Sequence, residues 1–284
     1  MITFLGTGLL GANFVRALRR RKEEVHIWNR TAGKAEALAT EVGATAYTDP
    51  ADAVRGASRV HLAVYDDESV DAVLKEAEAG IGPDCIIVDH TTTSPAPTLA
   101  RINAWAERGI RFQHAPVFMG PPNALAGTGT MLASGDRATF DMVAPALELM
   151  TGKLVYLGAD PVRAAAIKLM GNLFLLGMTA GIADMFALGD ALGVAPADAT
   201  QLFEWFPMAT MAQGRAAKMR GGDLGRPSWT LEMARKDARL MIESAESHGG
   251  KLAMIPAVAA EMDRWIASGH GQDDWMVIGS GPSK

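Results

Sequence analysis

The sequence has little cysteine, no surplus of positive charge and no long uninterrupted apolar run. Cys85 is the only cysteine among 284 residues, so no disulfide can form within the chain, as expected for a reducing compartment. A formal net charge of -5 argues against a nucleic-acid binder, which needs basic residues to neutralise phosphates. The longest uncharged apolar run, LFLLGMTAGIA, is shorter than the roughly 20 residues that span a bilayer. We therefore expect no contact with nucleic acid or membrane.

Two further absences narrow the location and the chemistry. The N-terminal segment MITFLGTG has neither a basic leader nor a cleavage site, so we expect a cytoplasmic protein. The six histidines show no paired ligand spacing, so no metal site is predicted. Hydrophobic residues make up 49% and charged residues 21% of the chain, a composition typical of globular proteins. The length suits two domains better than one core.

Strand and helix patterns alternate through the first half of the chain. The segments MITFLG, EVHIWNR, RVHLAVY and CIIVDHT read as strands, and amphipathic helical segments separate them. After LVYLGADP only helical periods follow, to about Ser268. The pattern predicts an α/β fold, with a doubly wound Rossmann domain over residues 1–160. An all-α domain over 161–284, built on a long interdomain helix, is predicted to follow it.

The segment FLGTGLLG has the glycine spacing of a dinucleotide-binding turn. Gly6, Gly8 and Gly11 form a G-x-G-x-x-G frame that follows one strand and opens a helix. In such a turn the glycines permit the sharp bend, the close approach of a pyrophosphate and the packing of helix on strand. We predict that the cofactor is bound by the whole segment, that is by Gly6, Thr7, Gly8, Leu9, Leu10 and Gly11.

The end of the second strand indicates which dinucleotide is bound. An acidic residue usually holds the ribose hydroxyls of NAD at this position, whereas this chain has Asn29, Arg30 and Thr31. The Arg30 guanidinium can bind a 2′-phosphate in bidentate fashion, and Lys34 lies about one helical turn further on. A solvated surface arginine is the alternative. The sequence favours NADP(H) as the cofactor.

The apolar segment ADPVRAAAIKLMGNLFLLGM carries one lysine and one asparagine on the same helical face. Lys168 and Asn172 are four residues apart, and Ala164 and Ala165 precede the lysine on that face. A buried ammonium has a lowered pKa, which suits an acid or base near neutral pH. The helical pattern alone leaves open whether Lys168 is catalytic or merely solvated.

Six segments in order resemble the β-hydroxyacid dehydrogenase family, the relatives of 6-phosphogluconate and 3-hydroxyisobutyrate dehydrogenases. The N-terminal half contributes FLGTGLLG with VHIWNRT, then VDHTTTSP and HAPVFMG. The C-terminal half contributes KLMGN, KDARL and GHGQDDWMVI. The resemblance implies that Lys168 is the proton donor or acceptor and that Asn172 orients the substrate. It also implies that Thr92 lies between nicotinamide and substrate.

The same resemblance assigns further cofactor contacts. It implies that Lys236 reaches the nicotinamide end of the cofactor. It also implies that Val64, Tyr65 and Asp66 border the ribose and nicotinamide. The reaction would be hydride transfer between NADPH and a carbonyl compound, with the lysine as general acid or base. The carbonyl compound would be an aldehyde, a keto acid or the semialdehyde of a β-hydroxyacid and semialdehyde pair.

The substrate loop departs from the family pattern. The usual Ser-Gly pair, which holds a substrate carboxylate, is replaced by Phe118 and Met119. The backbone N–H groups of Met119 and Gly120 remain as possible anion donors, but Pro121 and Pro122 have none. A larger or more apolar carbonyl compound is therefore an alternative to a small hydroxyacid. The predicted substrate contacts are Thr92, Phe118, Met119, Gly120, Lys168 and Asn172.

Two other functions stay open. Imine reductases share the NRT segment and an apolar, proline-containing loop, but they generally use an aspartate or tyrosine in place of the lysine. Asp184 follows Lys168 by sixteen residues, too far along one helix to be its direct partner. A noncatalytic NADPH-binding protein is the second alternative, and the joint retention of Lys168, Asn172, Thr92 and Lys236 argues against it. The resemblance also implies a homodimer or a homotetramer.

Overall fold

The computed structural model describes residues 1–281, and for Ala209 only the backbone is considered. The nine strands of this described part are β1 (Ile2–Leu5), β2 (Val25–Trp28), β3 (Thr45–Tyr47), β4 (Arg59–Leu62), β5 (Ile86–Asp89), β6 (Arg111–His114), β7 (Val117–Phe118), β8 (Thr130–Ala133) and β9 (Lys153–Tyr156). The α-helices of the same part are α1 (Leu9–Arg20), α2 (Ala32–Val42), α3 (Pro50–Val54), α4 (Asp67–Ala77), α5 (Pro95–Glu107), α6 (Pro121–Ala126), α7 (Arg137–Glu148), α8 (Arg163–Ala191), α9 (Pro196–Trp205), α10 (Met208–Gly221), α11 (Leu231–Glu246) and α12 (Ile255–Trp265).

The first six strands form one parallel sheet. Their order is β3-β2-β1-β4-β5-β6, and each neighbouring pair runs parallel. The order reverses between β1 and β4, so the carboxyl ends of these two strands flank a crevice where α/β proteins bind ligands. The predicted fold class, a doubly wound Rossmann domain followed by an all-helical part, is confirmed.

The sheet is buried on both faces. Phe4 and Leu5 are fully buried neighbours on β1, and they pack into two different apolar clusters. Phe4 contacts the cluster that includes Phe14 of α1, whereas Leu5 joins the cluster that includes Leu62 of β4. Because successive side chains of a strand point to opposite faces, one short strand anchors helices on both sides.

A proline separates β6 from a second, smaller sheet. The segment RFQHAPVF forms β6 and then β7, because Pro116 has no N–H to donate to a sheet. β7 pairs antiparallel with β8, and β8 pairs parallel with β9, in a second sheet of three strands. Thr31 is the N-cap residue of α2, but its side chain makes no capping hydrogen bond. Gly43 ends α2 in the left-handed conformation, with φ of 70°.

The chain divides into two compact units, Met1–Asn172 and Leu173–Lys284. The α/β pattern ends with β9, but the first unit continues into α8 because Ala164 and Ala165 are fully buried there. The second unit has its own core around Leu231 of α11. Residues 282–284 of the predicted helical domain lie outside the described residues. The assignment of cofactor and substrate roles to domains 1–160 and 161–284 stays a prediction.

Helix α8 is longer than the apolar run in the sequence suggests. It covers 29 residues and contains an 18-residue stretch with a mean hydropathy of 1.5, enough by length and composition to cross a membrane. The uncharged apolar run LFLLGMTAGIA is only part of this helix, because polar and charged residues interrupt the run without ending the helix. Length and hydropathy alone are weak support for a membrane span, and α8 also carries Lys168 and Asp184, whose side chains are engaged within the protein.

Candidate active site

The glycine-rich turn joins β1 to α1 at the carboxyl edge of the parallel sheet. Gly6 has φ of 96°, and a Cβ there would lie 2.4 Å from the carbonyl oxygen of Ala63. A Cβ at Gly11 would lie 2.0 Å from the carbonyl oxygen of Gly6. By contrast, nothing lies within 4 Å of a Cβ built on Gly8. The first and third glycines are therefore required by the turn itself, whereas the second keeps open the side from which a phosphate can approach.

The N-terminus of α1 offers unpaired donors beside this opening. Gly8 caps the helix without a side chain, and no acidic residue lies in its first turn. The N–H groups of such a first turn have no partner within the helix. The Thr7 hydroxyl is buried and makes no hydrogen bond in the described part of the chain. This combination of open backbone donors, a positive helix end and an unsatisfied hydroxyl fits a dinucleotide pyrophosphate.

The polar residues after β2 differ in their contacts. Asn29 is hydrogen-bonded to the glycine-rich turn, whereas Arg30 and Lys34 form no ion pair in the described part of the chain. Asn29 Oδ1 accepts a hydrogen bond from the N–H of Thr7 at 3.0 Å, and its Nδ2 donates to the Thr31 carbonyl at 3.1 Å. Arg30 and Lys34 are exposed, and no ion pair within residues 1–281 involves either side chain. Asn29 therefore shapes the glycine turn, and the two cations remain available to an anionic ligand.

These elements enclose a cavity of about 650 Å³. Predicted site residues that line it are Gly6, Gly8, Leu9, Leu10, Gly11, Asn29, Arg30, Thr31, Lys34, Val64, Tyr65, Thr92, Met119 and Lys168. One wall was not predicted: a face of α4 forms it, made of Ser69, Ala72, Val73 and Glu76. Their spacing is that of one helical face, so the signal was present in the sequence.

The segment after β4 contributes its backbone more than its side chains. The N–H of Val64 donates to the Thr91 hydroxyl at 3.1 Å, which ties the β4 and β5 ends together. Asp66 is the N-cap of α4 and accepts hydrogen bonds from the N–H and hydroxyl of Ser69. These hydrogen bonds lower the pKa of Asp66, and its carboxylate is already used by the helix. Tyr65 is 88% exposed at the cavity wall.

The two neighbouring threonines after β5 have different environments. Thr91 is buried and its hydroxyl holds the Val64 backbone, whereas Thr92 is partly exposed and lines the cavity. No hydrogen bond of the Thr92 hydroxyl occurs within the described residues. Thr92 is therefore the threonine whose hydroxyl is available to a ligand.

Lys168 and Asn172 meet as the helical spacing predicts. Lys168 Nζ donates to Asn172 Oδ1 at 2.8 Å, and Lys168 is only 8% exposed although it lines the cavity. Burial lowers the pKa of the Lys168 ammonium. Within residues 1–281 no carboxylate forms an ion pair with it, so its charge is available to a developing oxyanion.

A buried histidine pair joins β4 and the end of β5 to the segment between β6 and β7. His90 lines the cavity, its Nδ1 lies 2.8 Å from the Ala115 carbonyl, and its Nε2 lies 3.0 Å from His61 Nδ1. Because the carbonyl only accepts, His90 donates from Nδ1 and His61 donates to His90 Nε2. Burial lowers the pKa of His90 to about 4, so the pair is neutral at physiological pH and serves structure.

The substrate loop offers fewer anion donors than the sequence suggests. The N–H of Gly120 donates to Asn123 Oδ1 at 3.0 Å, so in this structure it has an internal acceptor, and the substrate contact of Gly120 stays a prediction. Pro121 and Pro122 supply no N–H. Phe118 packs on α8, where a Cβ at Gly171 would lie 2.3 Å from its ring. The region beside Lys168 is therefore apolar on the loop side.

Two other predicted residues lie in the second unit. The Asp184 carboxylate accepts hydrogen bonds from the N–H groups of Ala253, Met254 and Ile255, at the start of α12. Desolvation opposes its ionisation, but these bonds outweigh it and lower the pKa of Asp184. Lys236 pairs with Asp237 at 2.8 Å on α11. Asp184 is thus a helix cap, and the role of Lys236 toward nicotinamide stays a prediction.

Comparison with known proteins agrees with this geometry. Residues 1–158 match the family described as the NAD binding domain of 6-phosphogluconate dehydrogenase. The 2-(hydroxymethyl)glutarate dehydrogenase of Eubacterium barkeri is 25% identical over 98% of this chain and 93% of its own. The mitochondrial 3-hydroxyisobutyrate dehydrogenase of Drosophila melanogaster is 29% identical over 68% of this chain and 59% of its own. The Streptomyces aurantiacus imine reductase structure superimposes with a TM-score of 0.88 and 27% identity, covering 98% of this chain and 97% of that one.

Proposed function

Since the chain belongs to the family of the 6-phosphogluconate dehydrogenase NAD-binding domain and is a pyridine-nucleotide oxidoreductase, we propose that it reduces a carbonyl compound with NADPH. The single observation that carries the proposal is the buried Lys168 ammonium, hydrogen-bonded to Asn172 in the wall of the dinucleotide cavity. NADPH, when bound, supplies the hydride. The glycine turn would hold its pyrophosphate, and Arg30 with Lys34 would hold its 2′-phosphate.

Lys168 acts as the general acid in this proposal. Its ammonium stabilises the negative charge that develops on the carbonyl oxygen and transfers a proton from Nζ to that oxygen. Asn172 Oδ1 holds Nζ in place, and its side-chain amide can donate to the same oxygen. Thr92 is a further donor at the cavity wall. In the reverse direction, neutral Lys168 would accept the proton of an alcohol.

The test is a comparison of Lys168→Ala with Lys168→Arg. Because general acid catalysis contributes about 10²–10⁴-fold, Lys168→Ala should lose at least about a hundredfold in kcat for aldehyde reduction. The Kd for NADPH should stay within about twofold, since the ammonium contacts the substrate in this scheme. Full activity of Lys168→Ala would refute the assignment. Tight NADPH binding without turnover of any carbonyl or imine would favour a noncatalytic NADPH-binding protein.

Reduction of an imine is the second candidate, because the similar Streptomyces aurantiacus structure is an imine reductase. Two observations weigh against it. An iminium substrate is cationic and is repelled by the Lys168 ammonium, which instead attracts an alkoxide. The Asp184 carboxylate is used by three backbone N–H groups. A panel of glyoxylate, succinic semialdehyde, apolar aldehydes and one cyclic imine, followed by NADPH absorbance, distinguishes the two reactions.

We propose in addition that the protein is a cytoplasmic homodimer or homotetramer. The support is the exposed apolar surface of α8, where Leu173, Phe174 and Leu176 are 75%, 63% and 70% exposed. Monomers rarely leave such a surface uncovered. Light scattering during size-exclusion chromatography should give at least twice the chain mass. A monomer at micromolar concentration would contradict this part of the proposal.

A further inference from the structure

A phenylalanine ring lies directly over the Lys168 ammonium. The distance from Lys168 Nζ to the centroid of the Phe118 ring is 4.6 Å, within the range of a cation–π interaction. The same nitrogen donates to Asn172 Oδ1 at 2.8 Å. The ring therefore covers one side of the ammonium, the amide occupies a second, and Lys168 also borders the cavity.

The ring reaches this position because residue 171 is glycine. A Cβ on Gly171 would lie 2.3 Å from Cζ and 2.4 Å from Cε1 of Phe118, much closer than atoms can pack. A glycine inside a helix costs about 0.5–1 kcal/mol relative to alanine. Gly171 does not stabilise the helix, but its lack of a Cβ leaves the space that the Phe118 ring occupies.

The other side of Phe118 is held by the small sheet. Phe118 pairs with Thr130 between β7 and β8, and the adjacent Gly129 has φ of 83°. A Cβ on Gly129 would lie 2.9 Å from the Phe118 carbonyl oxygen. The small sheet thus fixes the backbone of Phe118, and the ring packs on α8. The fold therefore determines where the ring lies.

We infer that Phe118, seated on Gly171, is a positioning residue for Lys168, because its ring closes one side of the ammonium to water. This inference rests on the proposed role of Lys168 as general acid. Without the ring the cation–π attraction is lost, but water reaches Nζ, and hydration stabilises the ammonium more than the ring does. The lysine then becomes a weaker acid and a less effective partner for an oxyanion.

Charged neighbours do not account for the lowered pKa of Lys168. Burial is the cause that lowers the pKa of Lys168. The ionisable groups that line the same cavity from other elements are Arg30, Lys34, Tyr65, Glu76 and His90. Glu76, the one carboxylate in this set, forms no ion pair with Lys168 within residues 1–281, and His90 is neutral because burial lowers its pKa to about 4. On α8, Arg163 precedes Lys168 by five residues and is also a cation, but burial, and not repulsion between the two charges, is the cause of the lowered pKa of Lys168.

The first test measures the pKa of Lys168 itself. Reductive ¹³C-methylation gives each lysine an NMR signal that titrates, and the Lys168 signal is the one absent from Lys168→Arg. In Phe118→Ala we expect the pKa of Lys168 to move upward, toward that of a solvated lysine. Phe118→Leu keeps an apolar cover and should stay near the parent protein. An unchanged or lower pKa in Phe118→Ala would overturn the inference.

The second test is a double-mutant cycle. Gly171→Ala forces the ring away and should shift the Lys168 titration in the same direction as Phe118→Ala. In the Phe118→Ala background the clash is gone, so Gly171→Ala should have little further effect. The matched control is Gly189→Ala on the same helix, where the new Cβ comes no nearer than 3.8 Å to another residue. Additive effects of the two substitutions would refute the coupling.

The pH dependence of turnover separates this inference from the proposed function. Carbonyl reduction needs protonated Lys168, so kcat/KM falls as pH rises through its pKa, and in Phe118→Ala this descending limb should move to higher pH. If Lys168→Ala retains full activity while the NMR shift is present, the proposed function fails and the inference about water access stands. If Lys168→Ala is inactive but the titration of Phe118→Ala matches the parent, the inference fails alone. If Phe118→Ala does not fold, Gly171→Ala and Phe118→Leu supply the same comparison.

Discussion

The replacement of Arg30 by alanine should separate NADPH from NADH. Arg30 lies at the cavity wall after β2, is exposed, and forms no ion pair within residues 1–281, so its removal breaks no salt bridge of the described residues. Hydrogen bonds between charged groups contribute about 1.5–3 kcal/mol, and solvent exposure favours the lower limit. A loss of about 1.4 kcal/mol raises the Kd for NADPH about tenfold.

The assay is a fluorescence or calorimetric titration with NADPH and NADH. The Kd for NADH should change by less than about twofold, because NADH has no 2′-phosphate for the guanidinium to bind. Adenosine 2′,5′-bisphosphate should repeat the NADPH result without the nicotinamide. Since the contact is solvent-exposed, the loss should also shrink as the salt concentration rises.

A matched control is Arg55→Ala. Arg55 is an exposed arginine in the same unit, paired with Asp52 on α3, and it does not line the cavity. Its removal should leave both affinities unchanged. The reasoning is refuted if Arg30→Ala weakens NADPH and NADH equally, since Arg30 would then contact a part common to both. It is also refuted if NADH binds the parent protein as tightly as NADPH.

Three further substitutions test other parts of the structure. Gly11→Ala places a Cβ 2.0 Å from the Gly6 carbonyl oxygen, so we expect a lower Tm and loss of NADPH binding, whereas Gly33→Ala, whose Cβ meets nothing within 4 Å, should keep both. Asp184→Ala leaves the three N–H groups that lead into α12 without an acceptor and should cost about 2 kcal/mol in urea unfolding. The kcat of the folded variant should be unchanged; a large loss in kcat would instead favour a catalytic Asp184. For Asp274, desolvation is outweighed by hydrogen bonds from Lys218 and from Ser228, and the pKa falls from 3.8 to about 2. This difference corresponds to roughly 2.5 kcal/mol of stability, present above pH 4 and lost as pH falls toward 2, and Asp274→Asn should remove that pH dependence.

The sequence determined the features that depend on local spacing. Gly6, Gly8 and Gly11 have their spacing because a turn between a strand and a helix must bend sharply, and that need is visible in one segment. Lys168 and Asn172 lie one helical turn apart, so their contact follows from the period of the α-helix. The order of strand and helix patterns likewise predicted the parallel sheet.

Features that depend on segments far apart in the sequence needed the tertiary structure. Asn29 was expected to contact the cofactor, but it also holds the N–H of Thr7, 22 residues away. From the sequence, the N–H of Gly120 was a possible anion donor, but in the structure it donates to Asn123 Oδ1. The packing of Phe118 on Gly171 joins residues from a strand and a helix, and no period in the sequence records such a contact. Local geometry follows from residue spacing. Burial and the access of water to Lys168 depend instead on how distant segments pack together.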